Sequence, residues 1–233
     1  HALLAPRAAA MNNANDQQAL AQAIVQAHAE RFGTASEAQT ASFTSEDPVY
    51  RAAKTACLQL GFIDIDAEVL GRAWRAQTQR TGRFDAAEWP TPSHDFGMKN
   101  FPLAARPDAF ASCPMNLGLY AVLPDADWVG RCARAGVPTV QLRFKSADRE
   151  AIEREVRASV DAVRGTDSLL FINDHWRIAI AAGAYGVHLG QEDLDALAPE
   201  ELREIRDAGL RLGVSTHGYA EMLRAEKVGP SYI

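Results

Sequence analysis

An Ala-Gly pair stands directly before a short apolar run three times in the second half of this chain. The pairs are Ala135-Gly136, Ala182-Gly183 and Ala208-Gly209. Glycine is the preferred residue just past the end of a helix, because it enters the left-handed region without a Cβ clash. Each pair therefore predicts a helix that ends where a strand is about to begin. A chain that alternates helix and strand in this way forms a parallel sheet with crossover helices.

The apolar runs between these helices predict the strands. They cover residues 117–123, 137–144, 168–172, 185–189 and 212–215, and a further strand starts at 231. The first run is apolar throughout, which predicts a strand buried on both faces. The spacing leaves open whether the sheet closes into a barrel or stays open. No strand is followed by GxGxxG or GxxxxGK[ST], so a nucleotide-binding fold has no local support.

The first half of the chain has a different texture. Residues 1–89 are predicted to be a mainly helical region of unknown role, with apolar residues at helical spacing over 16–32. Asp47-Pro48 predicts a helix start, with Pro at the first helical position, and Asp66 is expected to cap another helix. Five of the eleven prolines fall within residues 90–115, which predicts an irregular linker before the βα units of 116–233.

The composition of the chain limits the kinds of partner and compartment that we expect. The net charge of −6 would repel a polyanion, so no nucleic acid is expected and a phosphate ligand needs a local cluster of cations. The longest apolar stretches fall short of a membrane span, so no membrane is expected. Three cysteines without a CxxC pair are typical of reduced thiols, which predicts a cytoplasmic protein.

Polar residues follow four consecutive predicted strands. Both parallel α/β architectures bind ligands at the carboxyl ends of their strands. Gln141, Arg143 and Lys145 alternate with apolar residues, so their side chains point to one face of the second strand. The next three strands are followed by three polar clusters, Asn173-Asp174-His175, Gln191-Glu192-Asp193 and Ser215-Thr216-His217.

Each of these residues has a simpler explanation. Arg143 and Lys145 would also fit a solvated strand end, although large apolar neighbours argue against it. Asp174 would fit the cap of the following helix, and Asp193 the cap of a short turn.

Two further positions, His188 and Ser215, also have a simpler explanation. His188 lies mid-strand and is expected to be a core histidine rather than a ligand. Ser215 would fit a helix cap, but Gly213 beside it would let a ligand approach the backbone.

The set as a whole has a coherent chemistry. Two carboxylates without soft ligands suit Mg²⁺, which prefers one or two carboxylates together with phosphate oxygens. Arg143 and Lys145 supply charge for a diphosphate, and Gln141, Asn173 and Ser215 add neutral hydrogen bonds. Such a site suits the departure of pyrophosphate from a small molecule.

Five stretches in this part of the chain resemble a known family. They are GLYAVLPD, VQLRFK, LLFIND, AYGVHLGQEDL and LGVSTH, in that order between residues 116 and 233. The combination resembles the thiamine-phosphate synthase (thiamine-phosphate pyrophosphorylase) family of TIM (β/α)8 barrels. The resemblance implies that residues 116–233 form the first five to six βα units of such a barrel, which is C-terminally incomplete in this chain.

The resemblance also implies a reaction and a site. The family acts in thiamine biosynthesis, joining hydroxymethylpyrimidine diphosphate to thiazole phosphate to give thiamine phosphate and pyrophosphate. Its Mg²⁺ ligands correspond to Asp174 and Asp193. Its pyrimidine-diphosphate contacts correspond to Gln141, Arg143, Lys145, Asn173 and Ser215, of which Arg143, Lys145 and Ser215 are the expected catalytic residues.

Three alternatives stay open. A thiazole tautomerase is a sibling barrel that resembles the chain at QLRxK and IND but needs no metal, and Asp193 favours the synthase. A non-catalytic protein that binds a partner through its helical half is the second. The third makes Lys145 a Schiff-base lysine, which Arg143 nearby disfavours.

The family continues past the sixth strand to a Gly-Pro and Thr-x-x-Lys loop that contacts the diphosphate. We therefore expect the natural protein to extend past Ile233. The chain as given is expected to be inactive alone, and an open sheet edge would favour a homo-oligomer.

Overall fold

Helices and strands alternate through the second half of the chain, as the sequence predicts. The structure is a computed structural model that describes residues 14–37, 39–98 and 107–233. Its contacts divide the chain into two units, one of His1–Phe101 with Gly218–Leu223 and one of Pro102–His217 with Arg224–Ile233. Residues 1–13 of the predicted helical region and residues 99–106 of the predicted linker lie outside the described residues.

The first unit is built on helices. They are α1 (Ala14–Phe32), α2 (Pro48–Gln59) and α3 (Asp64–Thr81), followed by a short 3-10 helix, Ser93–Phe96. The predicted start of α2 is confirmed, because the side chain of Asp47 accepts a hydrogen bond from the Tyr50 amide at 2.9 Å. The predicted cap of α3 is wrong. Asp66 lies in the first turn, and the capping residue is Ile63, which offers no side-chain hydrogen bond.

A polar cluster lies beside the apolar core of this unit. Lys54 is 1% exposed and donates to Glu68 at 2.9 Å. Glu68 also accepts hydrogen bonds from Thr44, Tyr50 and Arg72, at 2.6, 2.5 and 2.8 Å. Burial acts to raise the pKa of Glu68, but these four hydrogen bonds outweigh it and lower the pKa to about 2. The folded unit therefore favours the charged form of Glu68.

This cluster predicts an acid-sensitive contribution to stability. The lowered pKa of Glu68 stabilises the fold at a pH above 4.5, the ordinary pKa of a glutamate, and the contribution is lost as pH falls toward about 2. We expect Glu68→Gln to lower the free energy of unfolding by roughly 2 kcal/mol near neutral pH, with the difference from wild type vanishing in acid. Urea unfolding at several pH values measures it, with exposed Glu30→Gln as control. A difference independent of pH would contradict the assignment.

The second unit is an alternating α/β structure. Its strands are β1 (Tyr120–Leu123), β2 (Thr139–Leu142), β3 (Leu169–Asn173), β4 (Gly186–Leu189) and β5 (Arg211–Val214). The helices between them are α4 (Ala126–Arg134), α5 (Arg149–Ala162), α6 (Trp176–Ala182), α7 (Gln191–Ala196) and α8 (Pro199–Asp207). Helix α9 (Tyr219–Val228) follows β5, and its residues up to Leu223 are grouped with the first unit.

The three Ala-Gly pairs behave as predicted. Gly136, Gly183 and Gly209 have φ angles of 84°, 70° and 77°, in the left-handed region that ends a helix without a Cβ clash. The chain beyond β5 also follows the prediction, because Tyr232 forms a parallel bridge with Gly213.

The five strands form one parallel sheet in chain order, β1-β2-β3-β4-β5. Leu142 pairs with Ile172, and Val187 with Leu212, so these buried side chains lie in one row on the same face. They form a core cluster with Val129, Val156, Ala179 and Ile205 from α4, α5, α6 and α8. The helices thus cover one face, and the polar side chains of the strands lie on the other.

One prediction for β1 is wrong. Its apolar run predicts burial on both faces, but the Val122 side chain is 54% exposed. β1 pairs only with β2 among the described residues, and Val122 lies on the face away from the helices, beside a cavity.

The described residues include neither a membrane-spanning helix nor a disulfide. None of their helices combines the length and apolarity that a bilayer crossing requires. Cys57, Cys113 and Cys132 are free thiols, as the absence of a CxxC pair predicts.

Candidate functional site

The seven residues selected from the sequence line one cavity of about 400 Å³ in the second unit. They come from four consecutive strands or the segments that follow them. Because parallel strands end at the same edge of a sheet, residues far apart in sequence converge there. The seven are Gln141, Arg143, Lys145, Asn173, Asp174, Asp193 and Ser215.

β2 and the segment after it contribute three of these side chains, of which the first is buried and the other two are exposed. Gln141 is 3% exposed and donates from Nε2 to the Tyr120 hydroxyl at 3.0 Å. Arg143 and Lys145, beyond the end of β2, are exposed at the mouth of the cavity. The alternation read from the sequence therefore places all three on one face, as predicted.

Asp174 and Asp193 lie beside each other. Lys145 Nζ is 3.2 Å from Asp174 Oδ2, and the Asp193 side chain accepts from the Gly190 amide at 3.4 Å. The pKa of Asp193 is raised, first by burial and then by the charge of Asp174 and a hydrogen bond shared with it. Two carboxylates in such proximity favour either a proton or a cation between them.

The backbone of Asp174 is held in an unusual conformation. Its φ is 64°, and among the described residues no other non-glycine residue has a positive φ. Such strain is tolerated where surrounding structure requires it, often at functional sites. The simpler explanation of Asp174 as a cap is wrong, because α6 has no side-chain capping bond. Asp193 does bond the Gly190 amide at the start of α7, so it combines a capping contact with a place in the cavity.

The donor chemistry of this pair fits Mg²⁺. The described residues contain no group of three or more His, Cys, Asp or Glu side chains able to hold a metal. Mg²⁺ does not require one, because it commonly takes one or two protein carboxylates and completes its shell with water and substrate phosphates. Asp174 and Asp193 supply hard oxygen ligands of that kind.

Ser215 is fixed by three contacts. Its amide donates to Leu189 O at 3.0 Å, its carbonyl accepts from Gln191 Nε2 at 2.8 Å, and its Oγ lies 2.7 Å from His188 Nε2. The expectation that Gly213 leaves room for a ligand is wrong. A Cβ there would lie 2.1 Å from Tyr232 Cζ, so the absent side chain makes room for the tyrosine ring.

Sequence reasoning missed several lining residues. His188 was expected to be a core histidine, but its ring reaches the cavity, where burial lowers its pKa. Tyr120, Val122, Gly190 and His217 also line the cavity. The place of His188 in the cavity could have been predicted, because His188 pairs with Asn173 and lies on the same face of the sheet.

Comparison with known proteins finds a family match in the same part of the chain. Residues 119–233 match the family described as thiamine monophosphate synthase. A thiamine-phosphate synthase of Neisseria meningitidis serogroup B is 56% identical over 117 residues, covering 50% of this chain and 56% of that protein. One of Serratia proteamaculans is 50% identical over 124 residues, covering 53% and 57%.

A solved structure is also similar. Thiamine phosphate pyrophosphorylase from Pyrococcus furiosus superposes with a TM-score of 0.43 and 30% identity, over 49% of this chain and 57% of that chain. The chain spans little more than half the length of the relatives it matches. Within that span the family match includes every strand and every residue selected for the cavity. Residues 119–233 are therefore the part of this chain that matches the thiamine monophosphate synthase family.

Proposed function

We propose that the natural protein joins hydroxymethylpyrimidine diphosphate to thiazole phosphate, forming thiamine phosphate and releasing pyrophosphate. The family match supports the reaction, and the cavity supports the placement of the diphosphate. We propose further that the parallel sheet is part of a TIM-type (β/α)8 barrel, with the cavity at the carboxyl ends of its strands. Residues 1–89 take no part in this proposal.

The observation that best supports the proposal concerns the hydrogen-bond and ion-pair partners of Arg143. Within the described residues, its side chain lines the cavity without a hydrogen bond or an ion pair. Several other arginines of the second unit have a carboxylate partner, for example Arg177 with Glu201. An unpaired guanidinium beside Lys145, in a chain of net charge −6, offers an anion a bidentate contact.

The chain's own groups would act mainly on the leaving group. In the proposed reaction the bond between the pyrimidine methylene carbon and the diphosphate oxygen breaks, and its electron pair leaves with the pyrophosphate. The nitrogen of the thiazole then supplies the pair for the new carbon–nitrogen bond. Arg143 and Lys145 stabilise the negative charge that develops on the departing group. No side chain in this scheme needs to transfer a proton in the bond-breaking step.

Asp174 and Asp193 would hold Mg²⁺, which supplies positive charge to the diphosphate when it is bound. Lys145 contacts Asp174 at 3.2 Å. With Asp174 engaged in holding the metal, Lys145 would be available to the diphosphate. Gln141, Asn173 and Ser215 would orient the substrate by neutral hydrogen bonds.

The test is the reaction itself. The natural full-length protein, incubated with both substrates and Mg²⁺, is expected to form thiamine phosphate and pyrophosphate in equal amounts, measured by chromatography and a coupled phosphate assay. Chelation of the metal is expected to stop both products. Isomerisation of a thiazole phosphate without metal, and without pyrophosphate release, would instead identify the tautomerase reaction.

A further inference from the structure

A row of hydrogen bonds connects four residues that line the cavity and passes through Tyr232, which does not line it. Gln141 Nε2 donates to Tyr120 OH at 3.0 Å, and Tyr120 OH lies 2.6 Å from Tyr232 OH. Tyr232 OH lies 2.7 Å from His188 Nδ1, and His188 Nε2 lies 2.7 Å from Ser215 Oγ. We call these five residues the relay.

The amide of Gln141 sets the direction of the relay. An amide nitrogen can only donate, so the Tyr120 oxygen accepts from Gln141 and its own hydrogen is available for Tyr232. Tyr232 then donates to His188 Nδ1. A neutral imidazole that accepts at Nδ1 carries its hydrogen at Nε2 and donates it to Ser215. Burial raises the pKa of both tyrosine hydroxyls, so each keeps the hydrogen this order requires.

The direction has consequences at both ends. Ser215 Oγ has already accepted from His188, so its own hydrogen is directed to the cavity. Gln141 lines the same cavity, and its Oε1, which has no hydrogen bond within the described residues, is the acceptor that remains for a ligand. The relay thus presents a donor at Ser215 and an acceptor at Gln141.

We propose that His188, Tyr232 and Tyr120 are positioning residues that fix Ser215 as a hydrogen-bond donor to a phosphate-bearing ligand and Gln141 as an acceptor. Tyr232 acts at a distance, because its ring packs against Phe171 at 5.2 Å and, among the described residues, its hydroxyl hydrogen bonds with Tyr120 and His188. The claim that Ser215 donates to a phosphate-bearing ligand rests on the proposed function, whereas the direction of the hydrogen bonds in the relay does not.

The first test reads the His188 tautomer without any substrate. Nitrogen NMR of the full-length protein, with the His188 signals assigned by their loss in His188→Gln, is expected to show the ring proton on Nε2. Tyr232→Phe removes the hydroxyl and keeps the ring, and is expected to remove that tautomer preference. A proton on Nδ1 in the wild type would overturn the proposal, because the relay would then run in the opposite direction.

The second test asks whether Tyr232 acts through Ser215. The probe is inorganic pyrophosphate with Mg²⁺, titrated by calorimetry. Tyr232→Phe is expected to weaken its binding roughly tenfold, the effect of one lost hydrogen bond, but to have no further effect in a Ser215→Ala background. Tyr185→Phe is the matched control, because Tyr185 also packs on Phe171 but lies outside the relay.

The outcomes separate the two proposals. Equal losses from Tyr232→Phe with and without Ser215 would overturn the positioning role, as would full affinity in the single variant. If Tyr232→Phe fails to fold, Tyr120→Phe breaks the relay one bond earlier and gives the same readouts. A protein with the Nε2 tautomer that makes no thiamine phosphate would retain the relay and reject the proposed reaction.

Discussion

Replacing Asp174 or Asp193 with Asn is expected to lower kcat for thiamine phosphate formation by about 100-fold or more, the usual cost of losing a main electrostatic stabiliser. Asn keeps the size of the side chain and tolerates the left-handed φ of 64° at position 174, so the backbone stays in place. The measurement is steady-state kinetics of the natural full-length protein over a range of Mg²⁺ concentrations.

Stability distinguishes this loss from simple unfolding. Each substitution removes one of two neighbouring carboxylates, and the pair from Lys145 to Asp174 is largely exposed and contributes little. The melting temperature without metal is therefore expected to stay the same or rise while activity falls. Glu192→Gln, an exposed neighbour outside the cavity, is the matched control and is expected to keep full activity. Full activity in both aspartate variants would end the metal assignment.

Arg143 carries the second large effect. Arg143→Ala is expected to lower kcat/KM by about 100-fold, because a guanidinium can make two charge-assisted hydrogen bonds to a diphosphate. Arg143→Lys keeps the charge but loses the fork, so it is expected to recover only part of the loss. Steady-state kinetics with both substrates measures the series.

The control for this series is Arg154→Ala. Arg154 lies on α5, 3.8 Å from Glu150, and does not line the cavity. Its removal is expected to leave kcat/KM unchanged, since an exposed pair of this kind contributes little to stability. An equal loss in the Arg143 and Arg154 variants would mean a non-specific effect of net charge.

Local signals in the sequence account for much of the fold. Gly136, Gly183 and Gly209 mark helix ends because the left-handed conformation there is a property of the residue itself. The alternation of Gln141, Arg143 and Lys145 with apolar residues predicts their common face for the same reason. The cap at Asp66 was predicted from residue type alone, and α3 begins before it.

The remaining features depend on contacts between distant residues. A side chain at position 213 would overlap the ring of Tyr232, so a glycine is required there. No residue close to Gly213 in the sequence indicates this contact. His188 reaches the cavity because its partners are Ser215 and Tyr232, from later strands. The strained φ of Asp174 follows from the path of the chain between β3 and α6. Tertiary contacts of this kind are invisible to periodicity.

The most direct measurement of the central claim is a calorimetric titration of the natural full-length protein with pyrophosphate, with and without Mg²⁺. Within the described part of the chain Arg143 has no ion-pair partner, and it lines the same cavity as the neighbouring carboxylates Asp174 and Asp193. This cavity predicts pyrophosphate binding that requires the metal and is lost in Asp174→Asn. Without Mg²⁺, the two carboxylates would repel the anion. Equally tight binding in the presence of a chelator, or in the Asp174→Asn variant, would contradict the claim that this cavity is a magnesium-diphosphate site.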